Sequence, residues 1–346
     1  MEPTSFAWFS LAFTISFLGT FVMQRIAKAL GIVDAPTLKR KIHKKATPLL
    51  GGVAIFLSMV LVVLLLLSTT DSLTGGEITH LHYSGFLLGG LILMIGGFLD
   101  DKFHLSPKYS IIAPVLAALV ALAFGIEVDK LTNPFGGVIE LTSWQSNILV
   151  FVWLMIVMYT TKFLDGLDGL STSISSIGAL MIMLLSLSAA YFQPDVALLS
   201  FVSLGALFGF LLWNIHPASI FLGEGGSTFV GYLIGILAVI SGGKLATALL
   251  VLGIPLLDVI WVLLRRLSKG GLRQIATGDK KHLHHRLLDL GWSQNRIVLA
   301  YLVGASAFGV SALFLQSREK LIALVILTLM MIFTAAFFVR REHRDA

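Results

Sequence analysis

The chain has 346 residues, 56% hydrophobic and only 13% charged, with a net charge of +6 and no cysteine. A water-soluble domain carries about 25% charged residues, so this composition, with a mean hydropathy of +0.90, excludes an ordinary soluble protein. The missing cysteines exclude a disulfide framework, a thiolate nucleophile and Cys-ligated zinc. The apolar stretches are continuous rather than alternating, which excludes a transmembrane β-barrel and leaves an all-α polytopic helical bundle. Residues 1–346 read as one integral membrane domain, and the basic surplus is a matter of topology, with no nucleic-acid partner expected.

A hydrocarbon core of about 30 Å needs about 20 apolar residues per helix. In chain order, eleven spans are expected at 5–27, 50–69, 83–99, 109–126, 147–163, 172–192, 197–213, 227–241, 245–264, 297–315 and 320–339. The first lacks a basic flank before it and is followed by Arg25 and Lys28, so it reads as a retained helix rather than a leader. With the N-terminus outside and the C-terminus cytosolic, 21 of the 25 Lys and Arg residues face the cytosol. Only Lys130, Lys244, Arg318 and Lys320 then lie outside. Between the fourth and fifth spans, Asn133-Pro134-Phe135-Gly136-Gly137 carries turn chemistry and predicts a small hairpin.

Polar clusters follow the ends of several spans, all on the cytosolic side of this topology. Asp100 and Asp101 close the third span, and adjacent carboxylates favour a divalent cation or a shared proton. The plainer alternative is a hydrated helix end paired with Lys102 and Lys108. Asp165-Gly166-Leu167-Asp168-Gly169 follows the fifth span; if it opens the sixth helix, the two aspartates share one face. An N-capping aspartate before a flexible turn is the alternative. Gly223-Glu224-Gly225-Gly226-Ser227 sets backbone N–H groups at a helix start, where a phosphate can bind, with Glu224 as a further oxygen ligand. Taken alone, a plain loop before a helix is the favoured reading of that segment. Asn214 closes the seventh span.

His282, His284 and His285 lie in a basic loop with Lys280, Lys281 and Arg286. On one helix the three cannot all face one way; zinc is one reading, and pyrophosphate recognition is preferred. Asp258, after Pro255, should face the bundle interior. It either bonds backbone freed at the proline or lines the site, and the first is favoured. Arg265 and Arg266 read as interfacial anchors or phosphate ligands, and His43, Lys44 and Lys45 carry the same ambiguity.

In combination these residues resemble the polyprenyl-phosphate N-acetylhexosamine-1-phosphate transferases, the family of WecA, TagO and MraY. The resemblance spans Gly31-Ile32-Val33-Asp34, Pro36, Arg40-Lys41, His43, Thr47-Pro48 through Gly51-Gly52, and Asp100-Asp101 with Leu105-Ser106-Pro107-Lys108. It continues through Phe163 to Leu170, Asn214, Pro217, Phe221 to Ser227, Pro255, Asp258 and His282 to His285.

The resemblance implies transfer of a sugar phosphate from a UDP-N-acetylhexosamine to a polyprenyl (undecaprenyl) phosphate, releasing UMP, with Mg2+ as cofactor and Mn2+ as its substitute. Asp100, Asp101 and Asp165 would be catalytic, with Asp101 and Glu224 on the metal. Lys45, Lys108, Lys162, Asp168, Asn214, His282, His284 and His285 would contact substrate. It further implies a bacterial cytoplasmic membrane, an early step of envelope polysaccharide assembly, and leaves a homodimer open. The His-Leu-His-His stretch is closer to the WecA/TagO branch, so UDP-N-acetylglucosamine is favoured over the muramoyl-pentapeptide nucleotide of MraY. A cation-coupled transporter is the alternative from another class, and carboxylates near mid-membrane would mark it. Three positions depart from the pattern: Lys162 stands where relatives usually carry Asn, Glu224 where they carry Asp, and Ala113-Pro114 where a glutamine is common.

Overall fold

A computed structural model describes residues 3–36, 45–242, 244–270 and 282–342, without the side chains of 266–270 and 337–342. Fourteen helices and two short antiparallel pairs make up these residues: α1 (Pro3–Ala29), β1 (Val33–Asp34), β2 (Thr47–Pro48), α2 (Gly51–Thr69), α3 (His80–Phe103), α4 (Pro107–Ser110), α5 (Ile112–Ala123), β3 (Lys130–Thr132), β4 (Val138–Glu140), α6 (Ser143–Leu164), α7 (Leu170–Leu187), α8 (Pro194–Asn214), α9 (Gly223–Ile240), α10 (Leu245–Val251), α11 (Gly253–Gly270), α12 (Leu283–Asp289), α13 (Gln294–Phe314) and α14 (Ser317–Glu342). Nine helices among the described residues are long and apolar enough to cross a membrane. The chain is a polytopic helical bundle.

Each of the eleven expected spans meets a helix, but two are altered. The fourth is a shorter apolar stretch, Pro107–Ala123, divided at Ile111 into α4 and α5. Pro114 lacks the N–H that would bond the carbonyl of Ser110, so the helix restarts just before it. The ninth is broken by 77° between Leu245–Val251 and the helix that starts at Gly253. There Pro255 cannot donate to Val251.

The buried axis of the bundle is α9, nearly every residue of which is enclosed. It packs on α6, α3, α2 and α7. Glycines make this possible by bringing backbones together. A Cβ built on Gly52 would fall 2.0 Å from the Cα of Gly226, and one on Gly97 2.1 Å from the Cα of Gly225. Thr161 on α6 adds a hydrogen bond from its hydroxyl to the carbonyl of Ser227, at 2.8 Å. The outside is apolar, as lipid requires: Leu61, Val303 and Leu329 are each more than half exposed.

The predicted hairpin forms, with Lys130 opposite Glu140 and Thr132 opposite Val138. Gly136 and Gly137 take positive φ at its tip. At that end of the bundle a second polar cluster is buried. Lys244 donates to Ser186 Oγ at 3.0 Å and Gln193 Oε1 at 2.6 Å, while Lys320 donates to Thr247 Oγ1 at 3.2 Å.

Candidate active site

The opposite end collects the C-termini of α3, α6 and α8, the N-termini of α7 and α9, and α12. Asp101 sits in the last turn of α3, buried against α9. Both its carboxylate oxygens accept the backbone N–H of Glu224, at 3.1 and 3.2 Å. Gly223 enables this approach: its φ is +77°, and a Cβ there would lie 2.5 Å from Asp101 Oδ2. The glycines of 223–226 are therefore engaged by contacts within the protein. Gly223 admits Asp101, the Glu224 N–H is already used, and Gly225 and Gly226 are helix-packing contacts.

Asp100 and Asp101 diverge, as successive helical residues must. Asp100 Oδ1 accepts the N–H of Leu105 at 3.0 Å, holding the chain after α3. Lys162, in the last turn of α6, forms an ion pair with Glu224 Oε2 at 2.6 Å. It also donates to Ser110 Oγ at 3.1 Å. Lys162 and Glu224, both singled out in the sequence, are thus bonded to each other.

Asp165 caps the C-terminus of α6, and Gly169 precedes α7. The two aspartates lie in the intervening turn rather than on a shared helix face. The carboxyl of Asp165 is held well above the usual carboxylate range, first by burial and then by Glu224, Asp101 and Asp168. These acids therefore share one electrostatic neighbourhood. Asp168 Oδ2 is 2.6 Å from His216 Nδ1 and accepts the N–H of Ala218 at 3.0 Å. Asn214 is buried with Oδ1 on the Gly169 N–H (3.1 Å) and the Thr172 hydroxyl (3.3 Å), while its amide donates to the carbonyl of Ile220 at 3.0 Å. It braces the aspartate turn against α8, and these bonds leave it little to offer a substrate.

The histidines meet this turn from the other side. His282 lies outside α12, as its N-cap, so the expected divergence of three helical histidines does not arise. The His282 ring stacks between Phe163 (5.8 Å) and His284 (5.7 Å), and His284 is 4.3 Å from His285. His284 reaches Gly166 so closely that a Cβ there would be 2.6 Å from its Nε2. Neither ring nitrogen of buried His284 has a hydrogen-bond partner among the described residues. Burial, then His285 and His282, pushes its pKa well below the ordinary value, so the ring is neutral.

Asp258 belongs to this assembly rather than to the proline break. Its Oδ2 is 2.9 Å from His282 Nδ1, and Oδ1 accepts the N–H of Leu283 at 2.8 Å. An apolar groove of about 310 Å3 runs beside it between α11 and α14, lined by Leu257, Trp261, Arg286 and Met331 among others.

Of the predicted site residues, Asp101, Glu224, Lys162, Asp165 and the three histidines come together. Asp168 and Asn214 flank them, and Asp100 faces the chain after α3. Lys45 and Lys108 are exposed, with no ion pair to this centre among the described residues. Arg40, Lys41, His43, Lys44, Lys280 and Lys281 lie outside the described residues, as does the side chain of Arg266. Sequence reasoning missed His216 and Ser110. Their partners are 48 and 52 positions away, so no local spacing marks them.

A family model described as glycosyl transferase family 4 matches residues 83–242. A Bacillus subtilis protein named probable undecaprenyl-phosphate N-acetylglucosaminyl 1-phosphate transferase is 33% identical over 93% of this chain and 89% of its own. A Mycobacterium tuberculosis decaprenyl-phosphate N-acetylglucosaminephosphotransferase is 33% identical over 88% and 81%. The Escherichia coli K12 undecaprenyl-phosphate alpha-N-acetylglucosaminyl 1-phosphate transferase is 28% identical over 96% and 90%. Fold and likeness together define a multi-pass membrane transferase. The chain belongs to glycosyl transferase family 4 and, within it, to the group of these polyprenyl-phosphate sugar-phosphate transferases.

Proposed function

We propose that the chain transfers N-acetylglucosamine 1-phosphate from UDP-N-acetylglucosamine to a polyprenyl phosphate, releasing UMP, on the cytosolic side of a bacterial inner membrane. The observation that carries this reading is the contact of Asp101 with Glu224, 123 positions apart, beside Asp165 and a neutral histidine with unused nitrogens. The orientation rests on the Lys and Arg distribution, and the donor on the names of the relatives.

In the reaction an oxygen of the lipid phosphate attacks the phosphorus that bears the sugar. The bond from that phosphorus to the bridging oxygen breaks, and UMP departs with its electron pair. A new diphosphate joins sugar to lipid. Two anions must approach, so the barrier is mainly electrostatic.

Hard carboxylate oxygens suit magnesium, which keeps several waters and needs one or two carboxylates plus substrate phosphates rather than a closed protein cage. No group of three or more His, Asp and Glu is arranged as such a cage among the described residues. Asp101 and Glu224 would hold the ion, which would supply charge neutralisation between the two phosphates. Asp100 and Asp165 would be the carboxylates that take a proton from the lipid phosphate. His284, as a neutral ring, offers one N–H to the donor's phosphates, and His282 is oriented for the same task by Asp258. The groove between α11 and α14 gives an isoprenoid chain an apolar path to Arg286.

The test is purified protein with polyprenyl phosphate, Mg2+ and a panel of radiolabelled UDP-sugars, scored for UMP and lipid-linked product. Product with UDP-N-acetylglucosamine supports the proposal. Product only with the muramoyl-pentapeptide nucleotide would reassign the donor, and none with any donor would defeat the enzyme reading.

A further inference from the structure

Lys162 stands where a second cation is also wanted. Its ammonium lies 2.6 Å from Glu224 Oε2 and is steadied by Ser110 and by the ring of Tyr159, 5.7 Å away. Asp100 and Asp101 act on the same ammonium neighbourhood electrostatically, so one fixed positive charge serves several carboxylates. An oxygen at ion-pair distance from an ammonium cannot also ligate a divalent cation without strong repulsion between the two positive centres. The pair is also only partly enclosed, with the side chains of Lys162 and Glu224 19% and 39% exposed. Glu224 Oε2 itself is enclosed, so the ammonium can leave it only in exchange for another cation and not for water alone. The flexible four-carbon stem of lysine lets the ammonium turn once it loses this partner.

We propose that Lys162 is a built-in exchangeable counter-ion: it holds Glu224 while the centre lacks metal, yields that oxygen to the divalent cation, and turns to the donor's diphosphate. This rests on the metal-and-diphosphate reading above and deepens it. It explains why Lys162 and Glu224 occur together. A lysine that relinquishes a carboxylate needs that carboxylate within reach, and the extra methylene of Glu224 supplies the reach. A purely structural salt bridge between α6 and α9 is the competing explanation, and it makes a different prediction for metal affinity.

The experiment uses the full chain in lipid nanodiscs without substrates, with Mn2+ as probe and free Mn2+ counted by electron paramagnetic resonance. Removing the ammonium by Lys162→Met should tighten Mn2+ binding about tenfold or more, because a like charge has left the site. Lys162→Arg, which keeps the charge, should stay near the native affinity. UDP-N-acetylglucosamine binding in the presence of Mn2+ should weaken in Lys162→Met. Thermal unfolding of each variant controls for folding. Equal or weaker Mn2+ binding by folded Lys162→Met would overturn the exchange and leave a structural bridge. Absence of Mn2+ binding from native protein and variant alike, with UMP release indifferent to chelator, would overturn the metal reading as well.

Discussion

Glu224 serves the site through two different atoms. Its backbone N–H holds Asp101, and its carboxylate holds Lys162. Replacing Asp101 with Asn keeps an acceptor for that N–H but removes the charge. Asp101→Asn should therefore stay folded, with an unchanged melting temperature, and lose about a hundredfold or more of turnover. Near-normal UMP release would remove Asp101 from the centre. Asp258 acts one step further out, through the His282 ring and the Leu283 N–H. Asp258→Asn should raise the donor KM about tenfold, as loss of an orienting carboxylate does elsewhere, with a smaller change in kcat. Equal loss in both parameters together with a fallen melting temperature would mark Asp258 as a structural residue. The sequence named Asp101, Glu224 and the histidines because isolated polar groups beside lipid are conspicuous. It could not show that Asp258 pairs with His282, because the two are 24 positions apart with no periodicity to join them.

Helix ends and the short turn between α6 and α7 set the position of these groups, and α9 is the element on which the rest depend. Gly52 meets Gly226 backbone to backbone, with no flexible side chain to yield. Gly52→Ala should lower the melting temperature in detergent, by about 1–3 kcal/mol of stability. Gly75→Ala, at a loop position whose nearest neighbour to a Cβ is 3.5 Å away, should not. The opposite end gives a prediction in pH. Burial lowers the Lys244 pKa from 10.5 to about 8, with Asp195 opposing and Lys320 reinforcing the shift. Between those values the unfolded chain binds more protons than the folded one, so this residue's contribution to stability rises with pH across the window. The melting temperature of native protein relative to Lys244→Met should therefore climb from pH 8 towards pH 10; a flat difference would contradict the burial. Apolar length alone revealed nearly every span. The division at Ile111 and the 77° break were hidden, since Pro114 and Pro255 could equally have kinked a continuous helix. The spacing of three between Asp165 and Asp168 fits a helix face and a turn alike, so the sequence leaves both readings open.

At the scale of the molecule, the bundle separates two polar ends with an apolar belt between them. One end carries the acids, the lysine and the histidine row, and the other buries Lys244 and Lys320. A transporter would set its carboxylates near the middle; here the acids gather at an end, which favours chemistry on a lipid that arrives within the membrane and a nucleotide that arrives from water. The positive-inside count and the polar clusters were derived separately from the sequence, yet they select the same side. What one sequence could not give is the pairing between segments, and that is what the folded chain supplies. Because the protein contains no cysteine, the convergence is open to direct measurement by introduced thiols. Gly166→Cys combined with His284→Cys should cross-link rapidly with a short bifunctional thiol reagent in membranes, whereas Gly137→Cys with His284→Cys should not. Failure of the first pair to cross-link, or equal cross-linking of both, would contradict a single centre built from distant segments.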